Sequence, residues 1–145
     1  MLRRTLPIAL CVLGIGTLVS VAQAIDLKEL KKNVEEGKAI LLDVREEVEW
    51  KRAHLVDSES VPFSTISTDS MARRAAVRFP SDPDVKLYAL STDGRVSTLA
   101  SDMFKRVNVE VIALKDSYRS LVNAGFKEVR GNDPNWQPPI PVLPP

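Results

Sequence analysis

Three apolar runs of strand length, each followed by a segment of helical periodicity, leave this chain few folds to choose from. They are Ala39-Ile40-Leu41-Leu42-Asp43-Val44, Val85-Lys86-Leu87-Tyr88-Ala89-Leu90 and Val109-Glu110-Val111-Ile112-Ala113-Leu114. A strand with one wet face alternates apolar and polar residues, whereas a run as continuous as 39–44 marks a strand buried on both faces. Asp26 is placed to cap a helix in which Leu27, Leu30, Lys31 and Val34 recur at helical spacing, ending at Gly37. Glu46 to Ala53 reads as a short helix with Val48 and Trp50 turned inward, and Ser60-Val61-Pro62-Phe63 as a brief extended piece. Asp69 to Phe79 is a helix stopped by Pro80 and the Asp82-Pro83 turn. The polar loop Ser91-Thr92-Asp93-Gly94-Arg95 leads into an amphipathic helix with Val96, Leu99, Ala100, Met103, Phe104 and Val107 on one side. Ser117 to Ala124 forms the last helix, closed by Gly125. Such alternation predicts an α/β fold of three layers, α/β/α, around a central mostly parallel sheet, because each crossover drops a helix onto the sheet.

The two ends depart from that pattern. Met1-Leu2-Arg3-Arg4 is a basic start, Thr5 to Ile25 carries no charge, and Ala22-Gln23-Ala24 supplies the small residues of a cleavage site. Residues 1–24 therefore read as a signal peptide removed after Ala24, which predicts a periplasmic or secreted protein. The uncharged run is also long enough to span a bilayer, so an uncleaved anchor facing outside the cytoplasm stays open, the one route to a membrane. Cys11 lies inside the run as an apolar filler. Residues 25–130 form the domain, and 131–145 a proline-rich tail. That tail holds Pro134, Pro138, Pro139, Pro141, Pro144 and Pro145 of the 10 prolines. It reads as a solvated extension, or as a segment anchored by Trp136 on a protein partner that the sequence does not name.

Charge and thiol content narrow the chemistry. Lys plus Arg total 20 against 19 for Asp plus Glu, a net charge of +1 that argues against a polybasic nucleic-acid binder. One cysteine and one histidine are too few for a Cys/His zinc site, a disulfide framework or a CxxC pair, so no metal or cofactor is expected. Cleavage after Ala24 removes Arg3, Arg4 and Cys11. It leaves 18 basic against 19 acidic side chains, hence −1, and no thiol at all.

Four segments then line up in order. Leu42-Asp43-Val44-Arg45-Glu46 with Glu49-Trp50 resembles the opening strand and helix of the rhodanese homology domain. His54 with Pro62 resembles its His-Ile-Pro-Gly-Ala segment. Ser91-Thr92-Asp93-Gly94-Arg95-Val96-Ser97 falls where the family carries a Cys-x-x-Gly-x-x-Ser loop, and Leu114, Tyr118, Leu121 and Ala124-Gly125-Phe126 match its closing helix. The resemblance runs from about Asp26 to Val129 and implies the rhodanese-like fold. In that family the loop cysteine, a thiolate at a backbone anion nest, takes the outer sulfur of thiosulfate as a persulfide and passes it to an acceptor such as cyanide. Here the position is Ser91, and an oxygen holds no persulfide. Asp93 opposes anion capture, and Val56-Asp57-Ser58 replaces the Gly-Ala turn.

These departures set the expectations for individual residues. Ser91 is a vestigial nucleophile position donating a hydrogen bond. The loop Ser91, Thr92, Asp93, Gly94, Arg95 and Val96 is a candidate anion-binding loop, with Arg95 either over an anion or paired with Asp93. Gly94 supplies a positive φ. Asp43 and Arg45 form a framework ion pair or helix cap near the site, and His54 is a hydrogen-bonded structural histidine. Arg73, Arg74 and Arg78 are a solvated helix face or a basic docking patch. The leading expectation is an exported rhodanese-like protein without sulfurtransferase activity, working as a binding or regulatory module. The alternatives are a sulfurtransferase-related enzyme or hydrolase using Ser91, and a binder of small sulfur oxyanions.

Overall fold

The computed structural model of the chain describes residues 25–131. The proposed signal or anchor segment with Cys11, and the tail with Trp136, lie outside the described residues. Each apolar run becomes a strand of one parallel sheet: β1 (Ala39–Asp43), β4 (Lys86–Ser91) and β5 (Val111–Ser117), with β3 (Ser58–Ser60) at the edge, in the order β3-β1-β4-β5. All three pairings are parallel. Side chains of β1 and β4 alternate between two cores. Leu42, Leu87 and Ala89 face Ala72 of α3 (Asp69–Ala76) and Ala100 and Phe104 of α4 (Arg95–Arg106). Leu41, Tyr88 and Leu90 face Leu30 of α1 (Leu27–Glu35) and Leu121 of α5 (Tyr118–Asn123). Two dry faces explain why these strands read as nearly unbroken apolar runs, and the three-layer α/β/α architecture follows.

The caps are local. The Asp26 carboxylate accepts from the Lys28 amide at 2.9 Å, and Ser117 caps α5 by accepting from the Ser120 amide at 3.1 Å. Gly94 precedes α4 with φ 80°, and a Cβ there would lie 2.7 Å from the Lys115 carbonyl oxygen, so both backbone conformation and space require glycine.

Several elements differ from the sequence reading. In α2 (Glu47–Arg52) Trp50 is buried but Val48 is 72% exposed; two residues apart on a helix, they lie about 200° round the axis and cannot share a face. Leu99 is also outward, because Ser97, Ala100 and Phe104 take the inner face of α4. Helix α3 ends at Ala76. Beyond it the Arg78 and Phe79 amides bond the carbonyls of Ala75 and Ala76, a tighter turn that swings Phe79 onto Phe104. The extended piece near 60–63 is strand β3 followed by a 3-10 helix over Phe63–Ile66. Asn108 adopts φ 61°, which holds Val109 in a turn and delays β5 to Val111. An unanticipated antiparallel pair, β2 (Ala53–Leu55) with β6 (Glu128–Arg130), ties His54 to Val129 beside the sheet.

The two phenylalanines meet edge to face at 5.5 Å, and Phe104 is fully buried. Phe104→Ala opens a cavity between α3, α4 and the sheet. It is expected to lower unfolding free energy by about 3–5 kcal/mol, measured by urea titration.

Candidate functional site

The C-terminal ends of β1, β4 and β5 lie on one edge of the sheet, where parallel α/β folds place their chemistry. At the end of β1, Asp43 is fully buried and Arg45 nearly so. Arg45 Nε donates to Asp43 Oδ1 at 2.9 Å and Oδ2 at 3.1 Å, and Nη2 donates to Oδ2 at 2.5 Å. The same Nη2 reaches the Ala53 carbonyl at 2.8 Å, and the guanidinium lies over the Tyr118 ring, 3.7 Å from its centroid. Burial pushes the Asp43 carboxyl up, against the hydrogen bonds and charge of Arg45 that pull it down. Burial likewise works against the Arg45 cation, and the Asp43 carboxylate more than offsets it, so Arg45 stays protonated. Of the two roles the sequence allowed, the structure has the framework ion pair: the N-cap of α2 is Glu46. The pair joins β1 to β2 and α5.

His54, on β2, stacks on Trp50 with ring centroids 4.0 Å apart and donates Nδ1–H to the Trp50 carbonyl at 3.1 Å. Among the described residues it bonds neither Ser91 nor a carboxylate, an arrangement suited to structure rather than to proton transfer.

At the end of β4 the loop folds back on its own serine. Ser91 has no exposed surface, and its Oγ accepts the Gly94 amide at 3.0 Å and the Ser97 amide at 3.3 Å. It donates in turn to Ser97 Oγ at 3.4 Å. Ser97 Oγ sits 2.8 Å from the Gly94 carbonyl and 2.7 Å from that of Leu114, pinning the loop to β5. The N–H groups that would face an anion in such a loop are therefore directed at a hydroxyl of the protein itself. The Arg95 amide is also taken, by Asp93 Oδ1 at 3.1 Å, while the two side chains pair at 2.7 Å. The neighbouring guanidinium holds the Asp93 carboxyl below the usual carboxylate range. Thr92 leans the other way, donating to Glu49 at 2.9 Å, and Val96 packs partly buried against the core.

The segment that the sequence reads as one loop spans the end of β4 at Ser91, the turn Thr92 to Gly94 and the start of α4 at Arg95, and Asp43 and Arg45 lie beside each other. Sequence reasoning gave no role to Ser97, although the spacing groups that residue with the loop, nor to Tyr118 as the surface under Arg45. Arg73, Arg74 and Arg78 lie on or just beyond α3, outside this edge; Arg78 Nη2 donates to the Ser60 carbonyl at 3.3 Å. Among the described residues no cluster of His, Asp or Glu is placed to hold a metal ion, and no helix is long and apolar enough to cross a membrane.

Tyr118 carries a pH signature. Burial and the Glu128 carboxylate, which accepts its hydroxyl at 3.1 Å, push its phenol well above the ordinary value. The unfolded chain releases that proton near pH ~10 and the folded one does not, so the folded state binds the extra proton and stability falls as pH rises past ~10. Tyr118→Phe is expected to flatten this fall in urea unfolding measured on either side of that pH.

Similarity to known proteins agrees with this geometry. The family profile described as rhodanese-like domain matches residues 26–124. No curated protein matches the sequence. Among solved structures, a rhodanese-related protein from Thermoplasma volcanium is 20% identical with a TM-score of 0.57, over 74% of this chain and 97% of its own. The rhodanese-like domain of an Anabaena protein is 16% identical with a TM-score of 0.59, over 84% and 92% of the two chains. The human single-domain sulfurtransferase is 18% identical with a TM-score of 0.52, over 69% and 95%. The fold, the match over most of the chain and the strand-to-helix loop at Ser91 agree: this chain belongs to the rhodanese-like domain family.

Proposed function

We propose that this is an exported rhodanese-like domain that carries out no sulfur transfer and serves as a binding or regulatory module outside the cytoplasm. The observation that carries the reading is the burial of Ser91, at the position the family resemblance gives to the nucleophile, with the amides of Gly94 and Ser97 spent on its hydroxyl. Sulfur transfer needs a thiolate that attacks the outer sulfur of thiosulfate, expelling sulfite to form a persulfide, and then leaves as thiolate when the acceptor takes that sulfur. A serine oxygen forms no such bond, and among the described residues its hydroxyl hydrogen finds only Ser97 Oγ as acceptor, with no general base to activate it. The Asp93–Arg95 pair adds to this by neutralising the cation nearest the loop. A protein partner, engaged through the proline-rich segment 131–145, is part of the same reading.

The test is thiocyanate formation from thiosulfate and cyanide by wild type and by Ser91→Cys. Wild type is expected to be silent, and turnover by it would overturn the proposal. The variant is expected to stay silent as well, because its sulfur would occupy a position with no exposed surface. Turnover by the variant would show that the loop opens and that chemistry was lost with one atom.

Export has its own measurement. The chain expressed from Met1 and recovered from the periplasm or medium is expected to begin at Ile25 on N-terminal sequencing. Retention of Met1 on membrane-bound protein would replace the secreted form by an anchored one.

A further inference from the structure

Beside the Ser91 loop, and sharing no residue with it, lies a cavity of about 350 Å³. Its walls come from α2, β2, α5 and β6, and four arginines line it, Arg45, Arg52, Arg119 and Arg130, with Glu49 and Glu128. The volume falls in the range of small-ligand sites. The charges are unequally committed. Arg130 Nε and the Tyr118 hydroxyl both donate to Glu128, and Thr92 donates to Glu49. Arg45 is neutralised by Asp43 beneath it. Counting Asp43 with the two glutamates, four guanidinium groups face three carboxylates, an excess of one positive charge.

Arg45 makes this a built site rather than a wet patch of arginines. Its side chain is only 7% exposed, and Nε and Nη2 are fixed on Asp43 and the Ala53 carbonyl, which holds the guanidinium plane rigid. Nη1 makes no hydrogen bond among the described residues, while the residue lines the cavity. Arg52 and Arg119, both exposed, form no ion pair among the described residues. One buried, oriented guanidinium and two exposed ones with no ion pair among the described residues present the planar N–H groups that an oxyanion accepts.

We propose that this cavity binds a small organic oxyanion, a carboxylate, sulfonate or phosphate monoester, with its charged group on Arg45 Nη1 and between Arg52 and Arg119. The site is independent of the Ser91 loop and of whether that loop is catalytic. Sulfur transfer by wild type would overturn the proposed function and leave this inference standing.

The experiment titrates the full chain with phenyl phosphate, benzoate and inorganic phosphate, followed by NMR of backbone amides and arginine Nε–H groups. Saturable shifts are expected for phenyl phosphate or benzoate at Arg45, Ala53 and Tyr118. The Arg52→Ala/Arg119→Ala double variant, altered only at exposed positions and checked for an unchanged fold by its dispersed spectrum, is expected to bind at least tenfold more weakly. Arg95→Ala, on the loop, is expected to bind as wild type does. The inference is overturned if no probe gives a saturable shift up to ~10 mM, if the double variant binds as tightly as wild type, or if Arg95→Ala abolishes binding. It is equally overturned if polyglutamate alone produces the shifts, which would make the arginines a docking surface for an acidic protein.

Discussion

One buried ion pair holds the functional edge of this protein together. Asp43 ends β1 with no solvent contact, a position that is costly for a carboxylate unless a cation and hydrogen bonds meet it there. Arg45, two residues on, meets it through Nε and Nη2, and the same group then reaches the start of β2 and lies across Tyr118 of α5. Replacing one partner alone would leave the other charge buried and unpaired, typically a loss of about 3–5 kcal/mol. The β2–β6 pair has three residue pairs and no place in the main sheet. Arg45 is among its ties to β1, so the ion pair orients a guanidinium that lines the cavity as well as the strand end.

The loop after β4 is shaped by contacts that surround position 91 as well as by Ser91 itself. Its turn is enforced by Gly94, which has no room for a side chain against Lys115, and by Ser97, which sits between the Gly94 and Leu114 carbonyls. These features are geometric and are indifferent to the residue at 91. A thiolate there would be stabilised by the amides of Gly94 and Ser97. A hydroxyl accepts the same two bonds without ionising, so the donors become a structural closure in place of a reactive one. A family match over residues 26–124 therefore carries the fold and leaves the activity to be argued from Ser91.

How much was legible in the sequence follows from which interactions are local. The three runs at 39–44, 85–90 and 109–114 announce themselves because both faces of β1 and β4 are dry, and the caps at Asp26 and Ser117 act within three residues. The pair β2–β6 does not, since each strand has three residues and joins parts of the chain some 75 positions apart, and nothing in Ala53-His54-Leu55 alternates long enough to signal a strand. Val48 and Leu99 were misassigned for a related reason: apolar spacing gives a helix its period but not its rotation, which Trp50 and Phe104 decide by being larger. In the site, the Asp43–Arg45 pair and the loop are close in sequence and were visible. The placement of Arg52, Arg119 and Arg130 around Arg45 depends on the whole fold and was not.

That placement also says where the proposed anion affinity would reside in a rhodanese-like domain whose loop carries Ser91. In the loop, positive potential is consumed three times over: by Ser91 Oγ on two amides, by Asp93 on a third, and by Asp93 again on the Arg95 side chain. Across Thr92 and Glu49 the balance reverses, because among the described residues Arg45 is fixed by Asp43 with one nitrogen left over and Arg52 and Arg119 pair with no carboxylate. Exposed pairs such as Asp93–Arg95 are weak and screened by salt. A guanidinium held in a nearly dry site is screened far less and loses little freedom on meeting a ligand. The same ion pair that braces the strand end therefore pre-orients the Arg45 guanidinium, one step away from the loop where the family keeps its chemistry.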